Sequence, residues 1–366
     1  MSILLRELRA TPLFALLIFV PILFAVEHLR PASATLLFVL SVLAIVPLAA
    51  LLSRSTETVA ERIGDAAGGL LNATLGNLTE LVISLAALRA GEYVLVKASI
   101  AGAITTNALF MLGGSLLLGG LKHHVQEFNK GGARLQAGLL FLSVIALLVP
   151  SIIARSEGAA GFAQSLSLGL AVLLILTYGL GMLFSLVTHS SEFAGASHET
   201  PAEEAGAHEG WSVRTSLILL AVATLLVALV SEVFVGSVQE AAVTLGLTPA
   251  FVGFIVVGLV GGAAEMGSAF SAARKDRLDL SVGIALGSAA QIALFVAPVL
   301  VLLSYVIGPQ PMSLDFWPGA VVMMLIASLT AILTTQAGRS AWFLGVMLLA
   351  VYLVFAMTFF LMPPAV

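Results

Sequence analysis

Apolar runs of about 20 residues, the length a helix needs to cross a bilayer, follow one another along the chain with short polar breaks. They fall near residues 11–29, 32–53, 67–89, 95–120, 133–154, 163–188, 213–235, 249–273, 279–306, 316–338 and 341–362, and predict eleven transmembrane helices. One polar stretch is longer. Residues 188–210, "THSSEFAGASHETPAEEAGAHEG", hold five glutamates and three histidines and no Lys or Arg. Such composition cannot bury enough apolar surface to fold alone and reads as a flexible acidic linker. Its histidines and carboxylates also suit a cytosolic element that gathers cations or senses pH. The expected layout is a first helix over 1–30, five helices over 31–188, the linker over 189–212 and five more helices over 213–366.

Composition agrees with this pattern. Of 366 residues, 60% are hydrophobic and 10% charged, against about 25% charged in an ordinary soluble domain. The fold class is an all-α polytopic membrane protein. With no cysteine there is no disulfide, thiol chemistry or thiolate-bound metal. The net charge of −4 and the scattered basic residues give no nucleic-acid footprint.

Basic residues do report topology, because cytoplasmic segments carry the excess. With the amino terminus inside, the outer segments hold Arg30, Arg89, Lys97 and Arg155, and the other 12 of the 16 Lys and Arg lie inside. An odd number of spans then puts the carboxyl terminus outside. The basic, apolar start could mimic a secretory signal, but it lacks a small-x-small cleavage site and reads as a retained first helix.

Two of the apolar runs carry an acid well away from either end: Glu80 in "LGNLTELVISL" and Glu265 in "VGGAAEMGSAF". A charge at the bilayer centre costs about 2.5–3.5 kcal/mol on insertion scales, and such residues face a cavity, a partner or an ion. Shifted by 185 residues, the chain matches itself: Gly76 falls on Gly261, Glu80 on Glu265, Arg89 on Arg274 and Gly102 on Gly287, with 9 identities in 35 positions. Five spans per half make the matching segments run in opposite directions. Inverted repeats with a midplane site are characteristic of secondary transporters.

Residues three and four apart share a helix face. That groups Gly76, Asn77, Thr79 and Glu80 in one span, and Gly261 and Glu265 in its counterpart. The following spans add Ser99, Thr106 and Asn107 in one half and Ser288 and Gln291 in the other, with Thr106 aligned to Gln291. Four helices can therefore close around one oxygen-lined site. Calcium takes roughly six to eight oxygens, so two carboxylates need help from Thr79, freed carbonyls and water. Burial and like charge make the empty, doubly ionised site the costly state. Protons or a divalent cation should fill it in turn, which is the logic of an antiporter. Glu232, in "LVSEVFVG", has no matching acid and is a candidate for gating or proton relay, or else an interfacial residue. Glu57, Glu61 and Glu240 lie in amphipathic stretches and read as a solvated face.

The segments "GGLLNATLGNLTELVISLAALRAG", "KASIAGAITTNALFMLGGSLLLGG", "GLVGGAAEM" and "DLSVGIALGSAAQIALFVAP" resemble the signatures of the cation/proton exchangers, the calcium/proton antiporters of the cation/calcium exchanger superfamily. The resemblance runs from about Arg54 to the end of the last apolar run. It implies eleven spans, an acidic loop between halves, and calcium exchanged for protons at Glu80 and Glu265. Asn77, Ser99, Ser288 and Gln291 are the supporting groups it implies. The chain departs from the usual second signature at Gly262, where an asparagine is usual, and at Met266, where a histidine is usual. These changes remove an amide and a titratable neighbour but leave both carboxylates.

The expected partners are thus Ca2+ or a related divalent cation, protons and the lipid bilayer. No cofactor and no enzymatic activity are expected, and the setting is a prokaryotic inner membrane. A sodium/calcium exchanger of the same superfamily is the alternative within transport. A cation channel and an intramembrane enzyme are the alternatives outside it, and the latter finds no HExxH or GxGD pattern.

Overall fold

The computed structural model describes residues 12–63, 65–153, 160–189 and 211–361. A 3-10 turn over Pro12–Ile18 leads into α1 (Phe19–Leu29). Then come α2 (Ala34–Ile63), α3 (Asp65–Leu75), α4 (Leu78–Arg89), α5 (Tyr93–His123), α6 (Lys130–Ile153) and α7 (Ala160–Leu183). The second part of the chain holds α8 (Val213–Leu245), α9 (Pro249–Gly261), α10 (Ala263–Arg274), α11 (Leu278–Ser304), α12 (Pro318–Thr335) and α13 (Trp342–Leu361). Two short strands, β1 (Val125–Glu127) and β2 (Arg339–Ala341), pair antiparallel and tie the end of α5 to the start of α13.

The chain is an α-helical membrane protein. Among the described residues eight helices are long and apolar enough to cross a bilayer, and α9 with α10 makes a ninth when the pair is taken as one span bent by 56°. Each predicted apolar run falls on helix, but α1 is short and the run over 67–89 is broken at Gly76 and Asn77 into α3 and α4. The two breaks are matched in position. Asn77 precedes α4 and Gly262 precedes α10, 185 residues on. The helices between are modified at matched places too, with π-helical turns over Thr106–Met111 in α5 and Ile292–Val296 in α11. A wider turn of this kind disturbs the regular ladder and is common at functional sites.

Two helices outrun their predicted ends, α2 reaching Ile63 and α8 reaching Leu245. The polar residues there hide their hydroxyls against the preceding turn: Ser55 donates to the Leu51 carbonyl at 2.7 Å, Thr56 to Leu52 at 3.0 Å and Thr58 to Arg54 at 2.9 Å. A hydroxyl satisfied in this way lets a helix stay packed where hydropathy falls. α8 stops at Gly246, whose φ of 68° suits glycine. Its start is capped by the Ser212 hydroxyl, which accepts from the Thr215 N–H, and Thr248 caps α9 ahead of Pro249.

α5 lies at the centre, most of its length buried, whereas α7 lies at the edge, with most of its length exposed. Close contact at the centre depends on glycine. A Cβ on Gly102 of α5 would lie 2.2 Å from the Phe254 carbonyl oxygen of α9, one on Gly253 would lie 2.5 Å from the Ala98 Cβ, and one on Gly258 would lie 2.9 Å from the Thr106 Oγ1. Small residues let helix backbones approach this closely in a membrane.

Candidate functional site

Both helix breaks deliver a carboxylate. Glu80 sits in the first turn of α4 and Glu265 in the first turn of α10, and both are set at amino-terminal helix ends that favour negative charge. Each acid lies against the glycine before the other half's break. A Cβ on Gly261 would lie 3.0 Å from the Glu80 Cγ and 3.1 Å from its Oε1, and one on Gly76 would lie 3.7 Å from the Glu265 Oε1. Glu265 is within electrostatic reach of Glu80.

Polar neighbours from α11 join the two breaks. The Asn77 amide donates through Nδ2 to the Gln291 Oε1 at 2.7 Å, and the Ser288 hydroxyl donates to the Glu265 Oε2 at 2.5 Å. Buried acceptors remain open around them: the Asn77 Oδ1 and the Glu80 Oε1 have no hydrogen-bond partner among the described residues. Unpaired buried oxygens cost folding energy, about 1–3 kcal/mol each. They are the atoms a hard cation or a proton would satisfy.

The two acids differ in access. Glu265 lines a cavity of about 270 Å³ together with Asn72, Gly76, Ser288 and Gln291, enough for a hydrated ion. Glu80 does not; it borders a separate void of about 10 Å³ beside Ser84 and Ser99, at the limit for one water. The cavity is bounded by the carboxyl end of α2 (Ser53, Glu57), the start of α3 (Gly69), the start of α6 (Gly132), the start of α11 (Leu280) and the turn after α7 (Leu186). These ends all lie on one side of the bundle. Towards the other side, α5 and α9 are shut by the glycine contacts at Gly102, Gly253 and Gly258. The segment between α11 and α12 is also pinned there, by Lys97 to Asp315 at 2.8 Å and by the Ser151, Ser167 and Ser304 hydroxyls, which accept from the Phe316, Leu314 and Met312 N–H groups.

The remaining predicted residues are placed as follows. Thr79 is buried on α4, and Ser99 borders the Glu80 void but donates its hydroxyl to the Leu95 carbonyl at 2.8 Å. Thr106 pairs with the Tyr352 hydroxyl of α13 at 3.1 Å. Asn107 is wholly buried beside Gly262, with a Cβ there 3.2 Å from its Oδ1, and neither amide atom has a partner among the described residues. Glu232 is not gathered into this site; it forms a 3.1 Å ion pair with Arg89, the two side chains 56% and 72% exposed. The acidic linker over 190–210 lies outside the described residues.

Several cavity residues escape the sequence reading, and three stand out. Glu57 belongs to the cavity and is within electrostatic reach of Glu265, so the solvated-face reading of this residue is corrected. The others are Gln136 of α6 and Tyr178 of α7, the latter's ring tilted by 32° against Phe295 of the α11 π-turn at 5.4 Å between centroids. Glu57 had only the signal of an acid one helical turn after Ser53, and in the structure Ser53 donates to its Oε1 at 3.0 Å. Gln136 had the weaker signal of one amide in an apolar run.

The family model described as sodium/calcium exchanger protein matches residues 33–187 and 215–361. The chain is 40% identical to a Ca(2+)/H(+) antiporter of Aphanothece halophytica, over 97% of this chain and 98% of that protein. It is 39% identical to the Ca(2+)/H(+) antiporter ChaA of Bacillus subtilis, over 90% and 93%. Among solved structures, native YfkE superposes with a TM-score of 0.81 at 36% identity, covering 96% of this chain and 100% of that one.

Proposed function

Because the chain belongs to the sodium/calcium exchanger protein family, we propose that it acts as its antiporter relatives are named, exchanging Ca2+ or a related divalent cation for protons. The observation that carries this reading is the pair of carboxylates at two helix breaks, each held against the other half's glycine. One of them opens to an ion-sized cavity and one is enclosed.

The exchange follows from charge balance. A divalent cation satisfies two ionised carboxylates; without it, protons must. Binding the cation therefore releases protons, up to two from Glu80 and Glu265, and a one-for-two exchange moves no net charge. The open Asn77 and Glu80 oxygens, with Ser288, Gln291 and water, complete the oxygen shell that carboxylates alone cannot fill. No covalent step occurs, and no resident cofactor is required.

The spans number eleven in this reading, arranged as a first helix and two inverted five-helix repeats. The cavity mouth lies with the ends that carry most of the basic residues, including Arg54, Arg62, Lys130 and Arg277. By the positive-inside tendency that side is cytosolic, the amino terminus is inside and the cavity is inward-open. We place the protein in a prokaryotic plasma membrane. Transport then alternates: the cytosolic cavity closes over the loaded carboxylates as α5 and α9 part on the far side.

Purified protein in proteoliposomes tests this directly. With several cations and imposed pH or sodium gradients, a Ca2+ gradient should drive proton movement at zero sodium. Calcium flux that requires sodium and ignores pH would reject proton exchange.

A further inference from the structure

The 185-residue correspondence applies to contacts as well as to residues. Around the carboxylates it is obeyed on both sides: Gly261 meets Glu80, and Gly76 meets Glu265. Further out it is obeyed once. Gly102 of α5 lies against the Phe254 carbonyl of α9, where a Cβ would come to 2.2 Å. The matching residues are Gly287 of α11 and Gly69 of α3, since 102 maps to 287 and 254 to 69. These two do not meet. A Cβ on Gly69 would lie 2.8 Å from the Leu186 Cδ2, and one on Gly287 would lie 3.4 Å from the Gln136 Nε2. All four residues line the cavity.

We propose that the cavity closes by bringing Gly69 of α3 against Gly287 of α11, and that Leu186 and Gln136 are the side chains that must withdraw to let it. This rests on the alternating exchange proposed above. Both glycines are suited to the task, because a contact as close as that of Gly102 with Phe254 admits no Cβ on the α11 side. Both covering groups can leave cheaply. Leu186 reaches Gly69 with the far end of a flexible chain, and the Gln136 Oε1 has no hydrogen-bond partner among the described residues to give up. Leu186 also stands at the π-helical turn Phe184–Thr188, which is where α7 departs from regular geometry.

The absence of native cysteine makes this a clean disulfide experiment. In the full-length G69C/G287C variant in proteoliposomes, oxidation should form an intramolecular bond, because a disulfide needs the Cα atoms only within about 7 Å, an approach reached before the final glycine contact that admits no Cβ. It should abolish exchange, and reductant should restore it. Cross-linking should speed up severalfold when Q136A and L186A are added. A second variant covers the case of a reduced double cysteine that does not transport: G287L should fold with the melting temperature of wild type, its side chain lying in the open cavity, yet lose at least about 90% of exchange. Wild-type vesicles run alongside separate the two ideas. A silent wild type rejects the exchange reading. An active wild type with a double cysteine that never cross-links, or with a fully active G287L, rejects the Gly69–Gly287 contact.

Discussion

The α5–α9 and α3–α11 interfaces are built from corresponding stretches of sequence, yet one is shut on glycine and the other holds a 270 Å³ cavity. Both can exist in one molecule because the contacts nearest the carboxylates, Gly261 with Glu80 and Gly76 with Glu265, are kept on both sides. The central glycine–glutamate contacts are matched and those of the two flanks are not. Under the alternating exchange proposed above, that asymmetry defines which side is open and what the opposite state must look like.

Substitutions at matched glycines test the difference. Gly102→Val puts a side chain into the Phe254 backbone, an overlap that nothing flexible can relieve. It should destabilise the protein by about 3 kcal/mol or more, read as a drop in melting temperature. Gly287→Ala, its counterpart, meets only the end of Gln136 at 3.4 Å and should change stability by less than about 1 kcal/mol. Equal effects at the two positions would remove the asymmetry.

Asn77→Leu probes the centre. It removes the donor to Gln291 and leaves a part-buried amide oxygen without that partner, at a cost of about 1 kcal/mol. Cation affinity in a binding assay should fall by about tenfold as the break in the third run loses its tie to α11.

Proton competition gives a smaller, graded effect. If cation and protons share Glu80 and Glu265, the cation-free protein binds more protons than the loaded one, so apparent cation affinity rises with pH. Over the range in which one proton is displaced, the dissociation constant should fall about tenfold per pH unit. A flat dependence would separate the two ions. The smallest change is expected at the pinned outer segment, where Lys97→Met breaks a half-buried pair with Asp315 and should cost about 1 kcal/mol or less in a melting experiment.

What could be read from the chain follows from which forces are local. The length of the apolar runs placed the helices, and the cost of intramembrane charge singled out Glu80 and Glu265 with their glycines. The self-match at 185 residues paired them. Gln291 and Ser288 were also legible, since they occupy the corresponding face of the next span. Contacts between distant segments were not. Thr106 looks equivalent to Gln291 in alignment but turns to Tyr352, a partner that no spacing rule supplies. Glu57 and Gln136 belong to the cavity because α2 and α6 pack beside α11 and α3, a tertiary fact. Glu232 stands in a polar interruption of an apolar run, but the neighbouring end of α4 offers Arg89 and takes it out of the site.

The most direct measurement is Ca2+-driven proton movement in proteoliposomes carrying wild type, Glu80→Gln or Glu265→Gln, with folding checked by melting temperature. Wild type should exchange, and each glutamine variant should lose at least about 100-fold in rate, some 2.7 kcal/mol, while remaining folded. Exchange at the wild-type rate by either variant would contradict a shared carboxylate site.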